Sequence, residues 1–367
     1  AIGIAVAIMV SLYAYHELTI DKFNEYYPDI YRIEAGDWFH TPAPLLPIVR
    51  DEMPGLEAAA PLDRQNLTIN VNDEEQTIHD VLFTEPDLLN IFTIKMLKGD
   101  ATAALSEPDK LLLSESEAKT IFGEADPLGK QLRVNDQYNY TVAGIFSDFP
   151  EGSVLEFNAL AAFMNRKTMT GNEDFYDNWE NWNYQTFVRL TPGRNPQEAI
   201  DLFNNSFNDI MEKYQPNRSV VHFNLRHLND IYFFPNLNKS DSCKHGNMQY
   251  LMLFSTSALL TLVIAIINFI NLTTARSNLR STEIGVRKVN GAGRRDLIKQ
   301  FLGESFIISF ISFLFAFLLI ELLLPSFNQI IGLKLSLSPF LHLRFLLIIL
   351  AGIVLITFLT GLYPAFF

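Results

Sequence analysis

Residues that can perform catalysis are present in this chain, but their spacing does not form a catalytic motif. The seven histidines are scattered, and none belongs to the H-E-x-x-H pattern of a helical zinc site. The single cysteine, Cys243, excludes an intramolecular disulfide and has no thiol-enzyme motif around it. The sequence also has no phosphate-binding glycine loop and no nucleophile elbow. We therefore expect a non-enzyme that binds no metal and no cofactor directly.

The most ordered polar chemistry lies in the basic segment from Arg276 to Lys299. It has seven Lys/Arg and two acidic residues, a net charge of +5 in a chain whose net charge is −13. Within it, the run EIGVRKVNGA at 283–292 could form a short helix in which Glu283 and Arg287 make a favourable i,i+4 pair. A helix of about two turns is marginal alone. We therefore expect it to dock on a partner.

Long uncharged segments flank this basic segment, and they predict membrane helices. A short cationic loop between two membrane-length segments stays in the cytoplasm, which places the large domain before them outside the cytoplasm. The first apolar run begins in mid-helix at Ala1 and the last one is still apolar at Phe367, so we expect a fragment of a longer chain. The predicted parts are a truncated span at 1–15, an extracytoplasmic domain at 16–247, and a membrane module at 248–367, itself divided into a span at 248–275, a cytoplasmic loop at 276–299, a span at 300–324, an outer loop at 325–344 and a span at 345–367.

The segment 16–247 is acidic, with 19 basic and 37 acidic residues and a net charge of −18. This charge argues against nucleic-acid binding, which needs a basic face. Interleaved strand and helix patterns without long parallel βαβ repeats indicate an α+β domain, with one lobe inserted into another. The fold class is thus a membrane protein with a helical bundle of four spans, the first incomplete, and a large α+β extracytoplasmic domain between spans 1 and 2.

Local signals place several elements in this domain. The predicted strands are Asp29–Glu34, Leu67–Val71, Lys110–Leu113, Gln131–Val134, Tyr138–Phe146, Asn183–Leu190 and Val220–Leu225, with a hairpin turn at Asn135-Asp136. Ser114 and Glu117 predict a capping box that starts a helix ending at Gly123. Asn195-Pro196 starts an amphipathic helix with a stripe of Ala199, Phe203, Phe207, Ile210 and Tyr214, and a further helix is predicted at Leu45–Met53.

A few polar and small residues lie inside the predicted spans. Asn268 and Asn271 are one turn apart, and we interpret them as residues that hydrogen-bond neighbouring helices to one another rather than as a polar functional site. Ser305, Ser309 and Ser312 form a strip of small residues that lets a neighbouring helix approach closely. Pro325 is predicted to end the helix that carries them.

The run from Asn268 to Ser305 closely resembles the first FtsX-like permease repeat of MacB-type ABC transporter subunits. The resemblance is carried by Ala275-Arg276-Ser277, Glu283–Lys288, Gly291-Ala292, Gln300-Phe301, Glu304-Ser305 and the closing Gly361–Ala365. The region after the first span is similar to a MacB-like periplasmic core, through His16-Glu17-Leu18, Asp21-Lys22-Phe23, Ile30-Tyr31-Arg32, Phe122-Gly123, Asp126–Lys130 and Tyr140–Asp148. The match covers nearly the whole chain and is looser over 150–245.

The resemblance implies a permease that works as a dimer in the bacterial inner membrane, among lipids, with a separate cytoplasmic ABC ATPase that uses the ATP and with a periplasmic adaptor as a further partner. It also implies that a coupling helix docks on the ATPase and that closure of the ATPase moves the periplasmic domain, for export or release of a substrate. The coupling residues would be Glu283, Ile284, Gly285, Val286, Arg287, Lys288, Val289, Gly291 and Ala292.

Two other functions are consistent with parts of the sequence. A sensor would bind a peptide antibiotic or an envelope signal through its outer domain. An intramembrane enzyme would need paired polar residues at membrane depth, and Glu304 and Glu321 lie ~25 Å apart along a helix, which is too far. We rank the permease first and the enzyme last. The sequence does not specify the substrate or the ATPase partner.

Overall fold

The structure, a computed structural model, describes residues 1–36, 38–71, 74–150, 152–214, 220–234, 241, 243–279, 294–333, 335–337 and 343–366. The chain divides into two compact units. The helical unit consists of Ala1–Leu18 and Asn247–Phe367, and the α+β domain is Thr19–Gly246.

The α+β domain contains ten strands and seven helices among its described residues. The strands are β1 (Ile30–Ala35), β2 (Leu56–Val71), β3 (Glu74–Thr84), β4 (Met96–Gly99), β5 (Lys110–Ser114), β6 (Gln131–Val134), β7 (Tyr138–Phe146), β8 (Ala159–Ala162), β9 (Gln185–Leu190) and β10 (Phe223–His227). With the first helix of the helical unit, Ile2–Leu18, counted as α1, the helices are α2 (Leu45–Glu52), α3 (Leu88–Ile91), α4 (Ala101–Ser106), α5 (Glu115–Phe122), α6 (Asn165–Thr170), α7 (Pro196–Tyr214) and α8 (Leu228–Phe233).

Strand β2 joins two parts of the sheet. The strand order is β10-β1-β9-β2-β3-β8-β5-β7-β4, and β6 pairs with β2 and β7. The first half of β2 pairs with β9, for example Ala60 with Phe187, whereas its second half pairs with β3, for example Thr68 with Thr77. Strands β3 to β8 are therefore inserted, in the chain, between the two strands β2 and β9 that pair with each other. This arrangement agrees with the expected insertion of one lobe into another.

Helix α7 covers the β1–β9 part of the sheet as its apolar stripe predicts. Ala199, Phe203 and Phe207 are fully buried and pack with Phe223 of β10 in one core cluster. The helix begins as expected, because the Asn195 side chain accepts hydrogen bonds from the backbone N–H groups of the first turn. Near the end of the helix, Met211 is buried whereas Ile210 is only half-buried. The buried stripe therefore continues through Met211 and not through the predicted Ile210.

The start of α5 differs in part from the predicted capping box. The Ser114 hydroxyl accepts a hydrogen bond from the Glu117 N–H at 3.2 Å, as expected. The reciprocal bond of the box is not formed, because the Ser114 N–H donates to the Asn158 carbonyl at 2.8 Å instead. Ser114 is the last residue of β5, so its N–H already has a partner in the sheet and does not need the glutamate. Gly123 ends the helix with a positive φ of 59°, as predicted.

Strands with alternating polar and apolar residues were predicted well. The bounds of β6 and β7 are those expected, and Asn135 and Asp136 between them both have positive φ, which confirms the hairpin turn. The sequence did not predict β3, β4, β8 or the first half of β2. Strand β8 reads Ala-Leu-Ala-Ala and is buried on both faces, so it has no alternation to recognise.

The helical unit contains α1 (Ile2–Leu18), α9 (Met248–Leu279), α10 (Arg294–Ile331) and α11 (Leu343–Phe366). Among the described residues, Met248–Leu272 and Leu302–Ile331 are long and apolar enough to cross a membrane. The apolar parts of the other two helices, Ile2–Leu18 and Leu346–Leu355, are shorter. Helix α9 extends beyond the predicted span by four residues, Arg276 to Leu279.

The prediction that Pro325 ends its helix is wrong. Helix α10 continues through Pro325 to Ile331 and ends at Gly332, which has a φ of 70° and donates its N–H to the Asn328 carbonyl at 2.9 Å. A proline removes one backbone hydrogen bond, and the helical turns on both sides can hold the chain through that gap. The predicted span at 300–324 and outer loop at 325–344 therefore change, because the helix takes seven residues from that loop.

Candidate functional site

Two short segments connect the α+β domain to the helices that precede and follow it in the chain. The entry connector, residues 19–24, follows α1, and its Asp21 has the positive φ of 59°. The Asp21 N–H donates to the Gly152 carbonyl at 2.7 Å, and its carboxylate accepts from the Val154 N–H at 3.0 Å and from the Ser153 hydroxyl. The entry connector is thus hydrogen-bonded to a segment far away in the sequence.

The exit connector, of which residues 241 and 243–246 are described, precedes α9 and contacts the same segment. The Lys244 N–H donates to the Val154 carbonyl at 2.8 Å, and the Lys244 ammonium lies 2.9 Å from Glu156 Oε2. Val154 is fully buried, and Ile20 and Cys243 lie with it in one hydrophobic cluster. We call Asp21, Ser153, Val154 and Lys244 the connector clamp, because these residues join both connectors to one point of the domain core.

A buried arginine holds the exit connector from its other side. The Arg32 guanidinium of β1 lies 2.9 Å from Asp241 Oδ2 and 2.6 Å from Glu34 Oε1. The three side chains are 1%, 2% and 3% exposed, respectively. Removing one member of an ion pair that is buried from water lowers the free energy of unfolding by about 3–5 kcal/mol, because the other charge stays buried and unpaired.

The remaining hydrogen-bonding positions of the two carboxylates are also occupied. Glu34 Oε2 accepts from Arg226 Nε at 2.6 Å, and Asp241 Oδ1 accepts from the Gln185 amide at 3.0 Å and from the Cys243 N–H at 2.9 Å. His245 Nε2 lies 3.1 Å from Asp241 Oδ2. Two arginines thus balance two carboxylates, and the network ties the exit connector to β10, β1 and β9 at one end of the sheet.

The two connector aspartates differ in acidity for physical reasons. Burial raises the pKa of Asp21 from its ordinary value of 3.8 to about 6, although the hydrogen bonds from Ser153 and Val154 oppose this rise. Burial alone would also raise the pKa of Asp241, but the His245 hydrogen bond and the charge of Arg32 outweigh it and hold that pKa well below its usual range. The Asp241 carboxylate is therefore charged at neutral pH, beside the Arg32 guanidinium.

Cys243 is a packing residue within this network. Its thiol is buried, and burial raises its pKa to about 12, so the nucleophilic thiolate is not formed at neutral pH. The thiol donates toward Gln185 Oε1 at 3.6 Å and lies 3.5 Å from an Arg32 nitrogen.

The residues predicted to contact an ATPase, Glu283, Ile284, Gly285, Val286, Arg287, Lys288, Val289, Gly291 and Ala292, lie outside the described residues. Their role stays a prediction.

The structure brings together three of the five residues predicted to pack helices. Asn268, Ser309 and Ser312 line one cavity of about 380 Å³ in the helical unit, together with residues of α1 such as Gly3 and Ile4. Ser305 and Ser309 are buried, whereas Asn268 and Asn271 are exposed. The approach of α1 to α9 is close, because a Cβ at Gly3 would lie 2.8 Å from that of Ala265.

Sequence reasoning missed the connector clamp and the Arg32 network. A signal was available for Arg32, because a charged residue between Ile30 and Ile33 in a predicted strand must be either exposed or paired. Its partner Asp241 is separated from it by most of the domain, and no local pattern links the two residues. Asp21 and Arg32 entered the sequence analysis only as parts of motifs that carry the family resemblance.

Two protein-family models match this chain. Residues 1–205 match the MacB-like periplasmic core domain, and residues 255–367 match the FtsX-like permease C-terminal domain. Together with the two helices that are long and apolar enough to cross a membrane, these matches support a membrane permease. The chain belongs to the MacB/FtsX-type family of ABC transporter permeases, which confirms the resemblance found in the sequence.

One curated relative is the macrolide export ATP-binding/permease protein MacB of Bdellovibrio bacteriovorus, which is 28% identical over 199 residues. The match covers 52% of this chain and only 27% of that protein. Among solved structures, a domain of a permease protein from Porphyromonas gingivalis is 24% identical with a TM-score of 0.47, covering 56% of this chain and 91% of that one. The periplasmic region of MacB from Actinobacillus actinomycetemcomitans is 14% identical with a TM-score of 0.41 and the same coverage. Scores this low do not by themselves establish a shared fold.

Proposed function

We propose that the chain is a permease subunit that transmits movement from a separate cytoplasmic ABC ATPase to its α+β domain, for export or release of a substrate outside the inner membrane. Family membership supports the transporter class. The connector clamp is the observation that carries the transmission role, because both chain connections to the flanking helices are hydrogen-bonded to Val154.

The clamp suits transmission for a mechanical reason. A displacement of α1 or α9 along its axis would pull on a connector that is bonded to a fully buried residue of the domain core. Cores packed at crystal-like density transmit strain and deform little. The domain would therefore move as a rigid body when the helices move, and both connectors would stay bonded to it.

The proposed topology has four spans, with the α+β domain outside the cytoplasm between the first and the second. The basic loop between α9 and α10 then lies in the cytoplasm, where Glu283 to Ala292 contact the ATPase that hydrolyses the ATP. A second copy of the permease and a periplasmic adaptor complete the assembly.

Charge reversal tests the coupling residues. Arg287→Glu with Lys288→Glu should abolish the stimulation of ATP hydrolysis by the permease while leaving membrane insertion intact. The matched control is Arg294→Glu with Arg295→Glu, which makes the same charge change in the same basic segment outside the EIGVRK run and should keep stimulation. Normal stimulation in the Arg287/Lys288 variant would contradict the coupling assignment.

Two substitutions at Lys244 test the clamp. Lys244→Pro removes the N–H that donates to Val154, whereas Lys244→Ala keeps this N–H and loses only the ion pair with Glu156. A fluorophore on an exposed cysteine introduced at Lys119 reports domain movement, since Cys243 is buried. We expect an ATP-dependent change in the fluorophore signal with Lys244→Ala and none with Lys244→Pro. An equal response in both variants would refute transmission through the clamp.

A further inference from the structure

A second link between the entry and exit connectors runs through His227, outside the connector clamp. His227 is the last residue of β10 and directly precedes α8. On the entry side, the Tyr27 N–H donates to the Asn24 carbonyl at 3.1 Å. On the exit side, the Gly246 N–H donates to the Tyr232 carbonyl of α8 at 2.9 Å. The His227 ring is hydrogen-bonded both to Tyr27 and to the start of α8, so it joins the two sides.

Two hydrogen bonds fix the tautomer of this ring. Its Nε2 lies 3.1 Å from the Tyr27 carbonyl, which can only accept, so Nε2 carries the hydrogen. Its Nδ1 accepts from the Asn229 N–H at 3.2 Å, so Nδ1 carries none. The Tyr27 and Tyr31 rings pack nearly perpendicular to the imidazole, with centroid distances of 5.2 and 5.4 Å, and hold it in this position. Only a neutral imidazole makes both hydrogen bonds.

Helix α8 connects the ring to the exit connector. The N–H groups of a first helical turn have no partner within the helix, and His227 Nδ1 is the acceptor for that of Asn229. The buried face of α8 packs in the core cluster that also contains Val154 of the clamp. Loss of the Asn229 hydrogen bond would therefore loosen the start of the helix whose Tyr232 carbonyl holds Gly246.

Several titratable and charged side chains surround the ring, and no carboxylate among the described residues hydrogen-bonds to it. They are the phenols of Tyr27 and Tyr31, Asp29 near Tyr31, Asp21 and Asp230 near Tyr27, and Arg226, which is paired with Glu34. A proton added to Nδ1 would point at the Asn229 N–H, where one donor faces another. Protonation therefore breaks the hydrogen bond to α8 and leaves the one to Tyr27 in place.

Histidine is the side chain that ordinarily gains a proton as the pH falls from about 7 to about 5. We propose that His227 is a titratable link, which in its neutral form ties α8 and the exit connector to the entry side and in its protonated form lets α8 loosen. The local change in α8 is independent of the coupling role of the chain. An effect on movement of the domain rests on the proposed function.

Hydrogen–deuterium exchange of the full chain in detergent, measured by mass spectrometry on the peptide that contains α8, reports this change. After correction for the intrinsic pH dependence of exchange, we expect the protection of α8 to fall about fivefold from about pH 7 to about pH 5, the effect of a lost N-cap. His227→Asn supplies a capping oxygen that does not titrate, so its protection should stay constant. The same fall in both chains would overturn the proposal, as would no fall in the unchanged chain.

The matched control is His79→Asn, which removes an exposed histidine of β3 and should keep the acid response of α8. Asp21 and His245 are further titratable groups of the two connectors, but each variant retains both, so their effects cancel in the comparison. If His227→Asn does not fold, His227→Ser provides another cap that does not titrate, and its protection should also stay constant. A fall in protection in that variant equal to that of the unchanged chain would overturn the proposal.

The fluorophore at position 119 tests the consequence for domain movement. At about pH 5 the ATP-dependent signal should be smaller in the unchanged chain than in His227→Asn, whereas at about pH 7 the two signals should be equal. Equal signals at both pH values would show that the link does not control movement of the domain. No signal in either chain at about pH 7 would contradict the proposed function, and the exchange experiment would still decide whether His227 is a titratable link.

Discussion

Asp21 and Lys244, at opposite ends of the α+β domain in sequence, bond to the two sides of the same residue. The Asp21 carboxylate accepts the Val154 N–H, and the Lys244 N–H donates to the Val154 carbonyl. One residue of the core thereby fixes the place where the chain enters the domain and the place where it leaves. The two connectors cannot shift independently without breaking one of these hydrogen bonds.

The raised pKa of Asp21 predicts a pH dependence of domain stability. The folded-state pKa of about 6 lies above the ordinary 3.8, so the folded state binds the proton more tightly. The contribution of Asp21 is fully present below pH ~4 and is lost as the pH rises through about 6, a difference on the order of 3 kcal/mol. Asp21→Asn should remove this decline from the free energy of unfolding.

Tryptophan fluorescence can measure this effect in the full chain, because all three tryptophans, Trp38, Trp179 and Trp182, lie in the α+β domain. Urea unfolding at several pH values between 4 and 7 gives the free energies to compare. The same pH profile in Asp21→Asn and in the unchanged chain would show that another group causes the decline.

Asp241→Asn should strongly destabilise the α+β domain at neutral pH. The substitution leaves the buried Arg32 with Glu34 alone, and we expect a loss of about 3–5 kcal/mol in the free energy of unfolding. Because the folded-state pKa of Asp241 is depressed, its contribution is present above pH ~4 and is lost as the pH falls further. The destabilisation caused by the variant should shrink at low pH.

The control for Asp241→Asn is Asp126→Asn, which breaks an exposed ion pair with Lys98. Exposed pairs contribute little to stability, so this variant should unfold like the unchanged chain. Equal urea midpoints for the two variants would mean that the Arg32 network does not stabilise the exit connector.

Helix α7 offers a matched pair of substitutions. Phe203 is fully buried against Phe207 and Phe223, and Phe203→Ala should cost about 3–5 kcal/mol in the free energy of unfolding. The neighbouring Leu202 is 44% exposed, and Leu202→Ala should cost much less. Urea unfolding followed by tryptophan fluorescence compares them. Similar losses at the two positions would contradict the burial of the predicted stripe.

Ser305 tests the strip of small residues on α10. The residue is buried, and Ser305→Leu inserts extra volume that should cost about 1–3 kcal/mol and lower the unfolding midpoint in an SDS titration followed by circular dichroism. Ile308→Leu changes an exposed residue of the same helix with little change in volume and should leave the midpoint unchanged. If Ser305→Leu is also neutral, the strip does not pack a helix.

The sequence predicted those features whose signal is local. Alternation in β7, the Asn135-Asp136 turn and the cap at Asn195 each depend on neighbouring residues, and each was found at the expected place. Strand β8 was missed because a strand buried on both faces has no alternation. The prediction that Pro325 ends its helix was wrong because a long helix tolerates the loss of one hydrogen bond.

The sequence by itself determined the class of this protein, through the apolar segments, the basic segment between them and motifs that are read from consecutive residues. Only the tertiary structure showed that Asp21 and Lys244 bond to one residue, that Arg32 meets Asp241, and that His227 bonds to the Tyr27 carbonyl. Charge and hydrophobic periodicity are properties of neighbouring residues, so they can be read directly from the sequence. Two residues far apart in sequence meet only because the strands between them bring them together. The pKa values of Asp21 and Asp241 likewise depend on a burial that exists only in the folded domain.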